Sequence, residues 1–430
     1  MALIPRFPLI GDPLRRIRMP KDLEAVTSTG FEADPDSVGL SSEAVEQIWK
    51  AAVSLYGSGV HPAVQLCLRR HGEVVLDRAI GHAHGNGPDD DRDAPKRLVG
   101  PETPFCIYSA SKAVTAMVVH KLAERGLLAL DDRIVDHIPE YGRHGKDGIT
   151  IGHVLAHRAG VAGMPKAALE LDRLSDREFL LELICDAKPT SEPGKLLAYH
   201  AVSGGFILGE VVHRVAAKNI REVLAAEFLD PLGFRWGNYG VAPDDFGEVG
   251  LAYVTGPPLL PPVSTLVTRA LSAPIDKVVE ISNDPRFLTA LIPAANVVTT
   301  ANELSRFFEI FRCGGELDGV RVIEPETIRT ALTEQSRLEI DLSLIFPTRF
   351  GYGFMLGAKV ISLYGRDTDL AFGHLGLINI MGWADPERGI SGGLITSGKA
   401  LLYPEVHRFY GLMQRITSES PKVPESERPF

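Results

Sequence analysis

Strand-like patterns occur at the two ends of this chain, and helical patterns fill most of the sequence between them. The segment PAVQLCLRRHGEVVLDRAIG, at 62–81, predicts two strands joined by a turn at His71 and Gly72. Further strands are predicted by FGYGFML, LINIMGWAD and ISGGLIT, which lie within 350–396. Because residues 127 to about 345 show mainly helical spacing and loops, we expect one sheet built from both chain ends, with a helical insertion between them.

Three helices can be predicted from capping residues or from an amphipathic pattern. Ser41 can cap a helix with one apolar stripe that ends near Gly57. Thr300 and Glu303 have the spacing of a capping box ahead of an apolar, phenylalanine-rich segment. A last amphipathic helix is predicted over about 404–416.

The same patterns divide the chain of 430 residues into four parts. Residues 1–39 are rich in proline and lack helical or strand periodicity, so we expect an extension wrapped on the body of the protein. Residues 40–115 together with 345–417 are predicted to form an α/β sheet domain, and 116–344 a mainly helical domain. Residues 418–430 are predicted to form a C-terminal tail. The length suits one sizeable catalytic unit with an inserted subdomain.

Charge and composition argue against several classes of function. The net charge is −10, and the chain has no basic run of the kind that binds nucleic acid. No apolar run is long enough to span a membrane, and the apolar and basic residues at the N-terminus stand in the reverse order of a secretory signal, so we expect a cytoplasmic location. The four cysteines form no CxxC pair and are expected to be reduced and mostly buried. They are Cys67, Cys106, Cys185 and Cys313.

Ser109 and Lys112 form the candidate reactive pair. Residues three apart share one face of a helix, and the segment SASKAVTAMVVHKLAERG predicts a helix that begins at or beside Ser109 and ends at Gly126. A helix N-terminus favours negative charge on the seryl oxygen, while burial and the same dipole disfavour the ammonium form of Lys112. Such a pair can supply a nucleophile and its base. The same spacing also occurs at ordinary helix caps, so the pair alone leaves both interpretations open.

Several further segments agree with this pair in order and spacing. FCIYSASK, which ends at Lys112, is followed by LDDRIVDHIPEY, ITIGHVLAHRAGV, YHAVSGGFILGEVV, PLGFRW, IPAANVVTTANELSRF and FGHLG. In this order they resemble the motifs of the serine β-lactamase and penicillin-binding-protein superfamily, over about residues 41–415. Within it the chain is most similar to the family VIII carboxylesterases, which are related to class C β-lactamases. The resemblance implies a β-lactamase/transpeptidase-like fold of the α/β (α+β) class, in which helices flank an antiparallel sheet and a mainly helical domain adjoins it.

The resemblance also implies a role for each matching residue. Ser109 would attack the substrate carbonyl, Lys112 would take its proton, and Tyr199 of the second motif would share the proton transfer and help protonate the leaving group. The oxyanion would be held by the backbone amides of Ser109 and Leu377. The remaining motif positions would contact the substrate, and they are His374, Leu375, Gly376 and Ala201.

Two departures from the family pattern bear on the substrate. The second motif commonly has the form Tyr-x-Asn, but here Ala201 stands in place of the asparagine that contacts an acylamino side chain. The third motif has His374 and Leu375 in place of the lysine and threonine of Lys-Thr-Gly, and histidine is at most a weak cation at neutral pH. We therefore expect poor recognition of a substrate carboxylate, which favours an uncharged ester.

The predicted activity is hydrolysis of short- to medium-chain carboxylic esters through an acyl-enzyme on Ser109. We expect no metal and no organic cofactor, and a small-molecule ester as the partner. The alternatives are hydrolysis of β-lactams or D-peptides, acyl transfer to another alcohol, and a catalytically inactive binding protein of the same fold. The oligomeric state is open.

Two other patterns suggest different chemistry and are not favoured. Residues 389–393, centred on Ser391, fit the GxSxG nucleophile elbow, but they follow a turn and lead into a strand where an elbow needs a helix. His153 and His157 are four apart on a probable helix capped by Thr150, which is a spacing that metal sites use. Because no third ligand is evident, we expect structural roles for both histidines.

Overall fold

The computed structural model describes residues 12–337, 339–360, 362–401 and 405–428. Its α-helices are α1 (Ser42–Tyr56), α2 (Ser111–Glu124), α3 (Ile134–His137), α4 (Ile151–Leu155), α5 (Arg177–Asp186), α6 (Ser203–Ala216), α7 (Ile220–Leu224), α8 (Asp230–Leu232), α9 (Val263–Leu271), α10 (Ile275–Ser282), α11 (Pro285–Thr289), α12 (Ala301–Arg312), α13 (Pro325–Ala331) and α14 (Glu405–Glu419). Its 3₁₀ segments are Glu24–Val26, Pro35–Val38, Tyr108–Ala110, Pro139–Gly145, Lys166–Leu169, Leu171–Arg173, Pro243–Glu248 and Glu425–Glu427, and a π-helical turn lies at Ala225–Leu229.

The strands are mostly short, and the longer ones lie near the chain ends. They are β1 (Thr27–Thr29), β2 (Ala63–Arg70), β3 (Glu73–His84), β4 (Arg97–Leu98), β5 (Phe105–Cys106), β6 (Asn238–Tyr239), β7 (Val297–Thr299), β8 (Glu316–Leu317), β9 (Val320–Arg321), β10 (Glu339–Asp341), β11 (Phe346–Thr348), β12 (Met355–Leu356), β13 (Phe372–Gly376), β14 (Ile380–Asp385) and β15 (Ile390–Thr396).

An antiparallel sheet of eight strands forms the scaffold of the described chain. Its strand order is β1-β3-β2-β15-β14-β13-β12, and β4 pairs with β3 outside this path. At its centre β2 pairs with β15, where Arg70 lies opposite Ile390 and Val64 opposite Thr396. The early and late strands therefore meet in one sheet, which confirms the arrangement predicted from the strand patterns.

Helices cover both faces of the sheet because successive side chains of a strand point to opposite faces. Val64, Leu66 and Leu68 of β2 pack in an apolar cluster with residues of α1 and α14. Cys67 of the same strand belongs to the larger cluster on the other face, where α12 packs against β2, β14 and β15. The strands β14 and β15 are buried along their whole length, as expected for central strands with helices on both faces.

The predicted boundaries of the first and last helices are close to those observed. The Ser41 hydroxyl accepts a hydrogen bond from the Ala44 amide at 3.1 Å, and α1 ends at its C-cap residue Gly57. The last helix, α14, continues to Glu419, three residues beyond the predicted 404–416. Residue 404, where that helix was predicted to begin, lies outside the described residues.

The capping box predicted at the start of α12 is only half formed. Thr300 Oγ1 accepts a hydrogen bond from the Glu303 amide at 3.1 Å, as the pattern predicts. The Glu303 carboxylate, however, accepts backbone hydrogen bonds from Arg235 at 2.8 Å and from Trp236 at 2.7 Å. The Glu303 carboxylate therefore makes a tertiary contact in place of the predicted bond at the helix cap.

The N-terminal segment contains more regular structure than predicted. Thr27–Thr29 form the edge strand β1, which pairs with β3 and places Thr27 opposite Ile80. Ile17 is completely buried. A strand of three residues is too short to produce a recognisable alternation of polar and apolar residues, so its pairing could not be predicted. Residues 1–11, which belong to the same predicted extension, lie outside the described part of the chain.

The strand predicted from FGYGFML is wrong over most of its length. Only its last two residues form β12, because the chain bends at Gly353, whose φ is +101°. A Cβ atom on Gly353 would lie 2.1 Å from the Ala116 Cβ, so this turn packs directly on α2. The hairpin β10–β11, in which Glu339 lies opposite Thr348, was not predicted at all.

Candidate active site

Ser109 lies in the 3₁₀ turn that directly precedes α2. The predicted helix therefore begins beside Ser109. The preceding residue, Tyr108, has φ +48°, which is an unfavourable backbone conformation for a bulky side chain. Val297 holds the turn from both sides, since its carbonyl accepts from the Ile107 amide at 2.9 Å and its amide donates to Ser111 Oγ at 3.0 Å. The candidate nucleophile thus stands on a braced and strained turn.

Lys112 is almost completely buried and contacts Ser109 directly. Its Nζ atom lies 3.0 Å from Ser109 Oγ, 2.6 Å from the Ala201 carbonyl oxygen and 3.0 Å from the Ala294 carbonyl oxygen. A neutral amine has two N–H groups and one lone pair. Because the two carbonyl oxygens can only accept, they hold the two N–H groups and leave the lone pair directed at the Ser109 hydroxyl. This geometry suits an amine that takes the seryl proton.

The surroundings of Lys112 also favour its neutral form. Burial lowers the pKa of Lys112 from its usual value to about 7. The groups within hydrogen-bond distance of its Nζ are a hydroxyl and two carbonyl oxygens, so none of them carries a charge. Near neutral pH a large fraction of Lys112 is therefore available as a base.

Tyr199 is the third predicted catalytic residue, and the fold brings it to the same place. It lies in the loop before α6, is buried, and its ring centroid is 4.9 Å from Lys112 Nζ. Burial raises the pKa of its phenol, and an interaction with the nearby Ser109 side chain opposes this shift. The three side chains with predicted catalytic roles are thus in mutual contact.

Asp341 anchors Tyr199 and was not identified from the sequence. Its Oδ1 atom accepts backbone hydrogen bonds from Tyr199 at 3.1 Å, Ser343 at 2.8 Å and Leu344 at 2.9 Å. The two bonds to the residues that follow form an Asx-type turn, which the Asp-x-Ser spacing could have suggested. The bond to Tyr199 joins segments far apart in the chain, and no local pattern predicts it.

Three buried histidines lie near the candidate catalytic side chains. The ring centroid of His157 lies 4.6 Å from that of Tyr199, and the ring of His374 lies 6.1 Å from it. His157 Nδ1 accepts a hydrogen bond from the His200 amide at 3.2 Å. Burial lowers the pKa of all three imidazoles, with a further contribution from the positive charge of Lys112, to about 4 for His200 and about 3 for His374. All three are therefore neutral at pH 7.

The positions of His153 and His157 differ from the prediction of a shared helix. The helix α4 ends at Leu155, and His157 follows it with φ +59°. Thr150 does cap α4, as predicted, by accepting a hydrogen bond from the His153 amide at 3.1 Å. The ring of His157 instead packs against Tyr199, so its role belongs to the candidate site.

The third motif lies on β13, and this strand packs against the Ser109 turn. A Cβ atom on Gly376 would lie 2.4 Å from the Ile107 carbonyl oxygen, so only glycine permits this approach. His374 Nδ1 lies 2.8 Å from the Leu375 carbonyl oxygen, which fixes the proton on Nδ1 because a carbonyl can only accept. Leu377 follows directly and is half-buried at the start of the loop between β13 and β14.

The remaining predicted contact residues lie around Tyr199. Leu375 packs against the apolar cluster that contains Tyr199 and Ala201. The Ala201 carbonyl accepts a hydrogen bond from Lys112, so the second motif contributes a main-chain group to the orientation of the amine. The sequence prediction placed Ala201 against the substrate and did not anticipate this bond.

The competing GxSxG pattern lies on a central strand of the sheet. Ser391 of the GxSxG pattern is a completely buried residue of β15, opposite Arg69 and Ala384. Within the described ranges, no group of three or more His, Cys, Asp or Glu side chains is placed to hold a metal ion. None of the described helices combines the length and the apolar character needed to cross a membrane. The four cysteines are free thiols, and all but Cys313 are buried.

Comparison with known proteins gives one consistent family. The family model described as Beta-lactamase matches residues 43–410. The chain is 30% identical over 302 residues to esterase/beta-lactamase LipL of Mycobacterium tuberculosis, which covers 67% of this chain and 68% of that protein. A solved penicillin-binding protein homolog from Caulobacter crescentus is 26% identical with a TM-score of 0.75, and the match covers 91% of this chain and 99% of that one. A family VIII carboxylesterase structure is 25% identical with a TM-score of 0.74, covering 88% and 98%.

Proposed function

Since this chain belongs to the beta-lactamase family, we propose that it is a serine hydrolase that cleaves short- to medium-chain carboxylic esters through an acyl-enzyme on Ser109. It has the β-lactamase/transpeptidase-like fold, an antiparallel sheet with flanking helices. Relatives described as esterases support a hydrolase of this fold. The observation that carries the finer proposal is the 3.0 Å contact between Lys112 Nζ and Ser109 Oγ, in a buried position that lowers the pKa of the amine to about 7.

The first half-reaction transfers the acyl group to the enzyme. Ser109 Oγ attacks the ester carbonyl carbon, and its proton passes to the lone pair of Lys112 Nζ. The negative charge that develops on the carbonyl oxygen is stabilised by the backbone N–H groups of Ser109 and Leu377. When the intermediate collapses, the bond to the alcohol oxygen breaks, Tyr199 gives that oxygen a proton, and the Lys112 ammonium returns one to Tyr199.

The second half-reaction regenerates the enzyme. A water molecule attacks the carbonyl carbon of the seryl ester and gives its proton to the Tyr199 and Lys112 pair. The bond between the acyl carbon and Ser109 Oγ then breaks, and Oγ takes the proton back. The net change converts one ester and one water into one carboxylic acid and one alcohol.

The charges at the site favour a neutral substrate. His374, which stands where the family commonly has lysine, is buried and neutral at pH 7. The neighbouring imidazoles of His157 and His200 are neutral as well. A substrate carboxylate would therefore meet no cation in the third motif to balance its desolvation. The lack of a cation in the third motif favours esters over β-lactams, although the name of the relative LipL includes both activities.

A substrate panel tests the proposal. The purified protein is assayed with p-nitrophenyl acetate, butyrate and octanoate and with the β-lactam nitrocefin. We expect kcat/KM for the best ester to exceed that for nitrocefin by about tenfold or more, because the site lacks a carboxylate-binding cation. Faster turnover of nitrocefin than of each ester would establish the β-lactamase alternative, and turnover of none of them would contradict an enzymatic function.

Two serine variants identify the nucleophile. Ser109→Ala should lower ester turnover by about 10³-fold or more and prevent labelling by a fluorophosphonate probe. Ser391→Ala is the matched control, because the Ser391 hydroxyl is buried without a hydrogen-bond partner and its loss leaves no group unpaired. Wild-type activity in Ser109→Ala would exclude Ser109 as the nucleophile.

A further inference from the structure

The loop of Leu377, Ile378 and Asn379 joins β13 to β14 and carries the amide proposed as the second oxyanion donor. It spans only three residues, since Gly376 and Ile380 face each other at the end of the hairpin. Ile378 has φ +48° and Asn379 has φ +58°, and the left-handed region is especially unfavourable for a β-branched residue such as isoleucine. Two consecutive residues in this region persist only where their surroundings hold them.

Thr396 and Lys399 hold the carbonyl side of this loop. Thr396 Oγ1 lies 3.2 Å from the Ile378 carbonyl oxygen and 3.3 Å from that of Asn379, and its hydroxyl donates to them. Lys399 Nζ donates to the Thr396 carbonyl oxygen at 2.7 Å. Both side chains are buried, so these bonds do not compete with water.

Asn379 tethers the side-chain face of the loop to the C-terminal helix. Its Nδ2 atom donates a hydrogen bond to Oε1 of Glu405, in the first turn of α14. His61 Nε2 lies 3.1 Å from the same carboxylate oxygen. Glu405 and His61 are completely buried, and Asn379 is only 6% exposed. Glu405 belongs to the buried first turn of α14, so the Asn379 side chain connects the loop to that helix.

We propose that Asn379 and Glu405 are positioning residues for the hydrolytic reaction, because their hydrogen bond holds the 377–379 loop in the strained conformation that presents the Leu377 amide to the oxyanion. This inference rests on the proposed function. An oxyanion donor is effective only within a narrow range of distances from the developing charge, so a small shift of the loop lowers the rate of hydrolysis. Neither side chain has to touch the substrate.

The variant Asn379→Gly tests the hydrogen bond to Glu405 without adding strain to the backbone. Glycine adopts positive φ without cost, so the loop keeps access to its conformation and loses only the bond to Glu405. We expect kcat for the best ester to fall by about tenfold or more, with a much smaller change in KM. Ser272→Gly is the matched control, because Ser272 also has a positive φ, +62°, but caps the end of α9. This control should keep the wild-type kcat.

A pair of substrates reports on the oxyanion donor itself. Sulfur accepts hydrogen bonds from backbone N–H groups less well than oxygen, so a thionoester gains less from the Leu377 amide than the matching ester. Asn379→Gly should therefore lower the ratio of ester to thionoester kcat/KM by about tenfold. A variant that merely reduced the amount of folded protein would lower both rates equally and leave the ratio unchanged.

Glu405→Gln gives a second, milder test if Asn379→Gly folds poorly. The glutamine amide keeps the shape and an acceptor oxygen but removes the negative charge, so the substrate ratio should fall in the same direction by a smaller factor. A wild-type ratio in a folded variant would overturn the inference, provided that Ser109→Ala is inactive. Activity in Ser109→Ala would instead contradict the proposed function and leave the loop without an oxyanion to stabilise.

Discussion

The backbone amide of Tyr199 donates a hydrogen bond to Oδ1 of Asp341, although 142 residues separate the two in the chain. The same oxygen accepts from the amides of Ser343 and Leu344, so one buried carboxylate organises the turn of the hairpin β10–β11 and also holds the backbone of Tyr199. Three backbone donors compensate its charge in place of a cation. The hairpin and the loop that carries Tyr199 are therefore coupled through a single residue.

Removal of the Asp341 carboxylate should affect both stability and rate. Asp341→Ala leaves three backbone amides without their acceptor, and we expect the free energy of unfolding to fall by about 2–4 kcal/mol. The ester kcat should fall as well, because Tyr199 loses its anchor. Urea denaturation and steady-state kinetics measure the two effects. Asp341→Asn, which keeps an acceptor oxygen, should lose less of each, and an alanine variant as stable as the wild type would contradict this account.

The pH dependence of kcat/KM should report the titration of Lys112. Only the unprotonated amine can take the Ser109 proton, and the pKa of Lys112 is about 7. Below that pH the rate should therefore fall about tenfold per pH unit, and above it the rate should level off. Initial rates between about pH 5 and pH 9 with an uncharged ester test this expectation. A profile that stays flat across neutral pH would assign the base to another group.

Tyr199→Phe should lower kcat by about 10²- to 10³-fold while the protein stays folded. The phenyl ring keeps its packing against His157 and Phe350, and the backbone bond to Asp341 is unchanged. Tyr141→Phe provides the control, because the Tyr141 hydroxyl is buried without a hydrogen-bond partner. Equal kcat values for the two variants would show that the phenol of Tyr199 takes no part in proton transfer.

Gly376→Ala should reduce both the melting temperature and the ester activity. The added Cβ would lie 2.4 Å from the Ile107 carbonyl oxygen, so either β13 or the Ser109 turn has to move. Gly411→Ala is the opposite case, because no atom lies within 4 Å of its added Cβ on the exposed face of α14. That variant should be stabilised by about 0.5–1 kcal/mol, as expected for alanine in a helix. Thermal unfolding of the pair tests the contrast.

Local patterns allowed prediction of the parts of the site that depend on short spacing. Ser109 and Lys112 face each other because they are one helical turn apart, and this relationship holds wherever the helix packs. The strands β14 and β15 lie in short segments bounded by turn residues, which is the pattern from which both were predicted. The Ser41 cap of α1 was also identified correctly, because it depends only on residues three apart in the sequence.

The features that were not predicted depend on contacts between distant segments. Asp341 binds the backbone amide of Tyr199, and the His157 ring packs against the Tyr199 ring. Both contacts exist only because the fold brings the three segments together. The strands β1 and β10 have three residues each, too few to establish a periodicity. For Glu303 a prediction was made and a distant contact overrode it. Its carboxylate was predicted to cap α12 but instead accepts hydrogen bonds from the backbone of a distant segment.

The central pairing of β2 with β15 also has a consequence for biosynthesis. The Ala63 amide donates to Ser397 Oγ across 334 residues of sequence, so the middle of the sheet cannot close while the ribosome is still translating the intervening part. During that interval the apolar faces of β2 and α1 lack their partners, and such nascent chains are the ones that chaperones shield from aggregation. Ser109 and Lys112 therefore leave the ribosome well before Leu377, and the sheet that supports the candidate site is complete only after synthesis of β15.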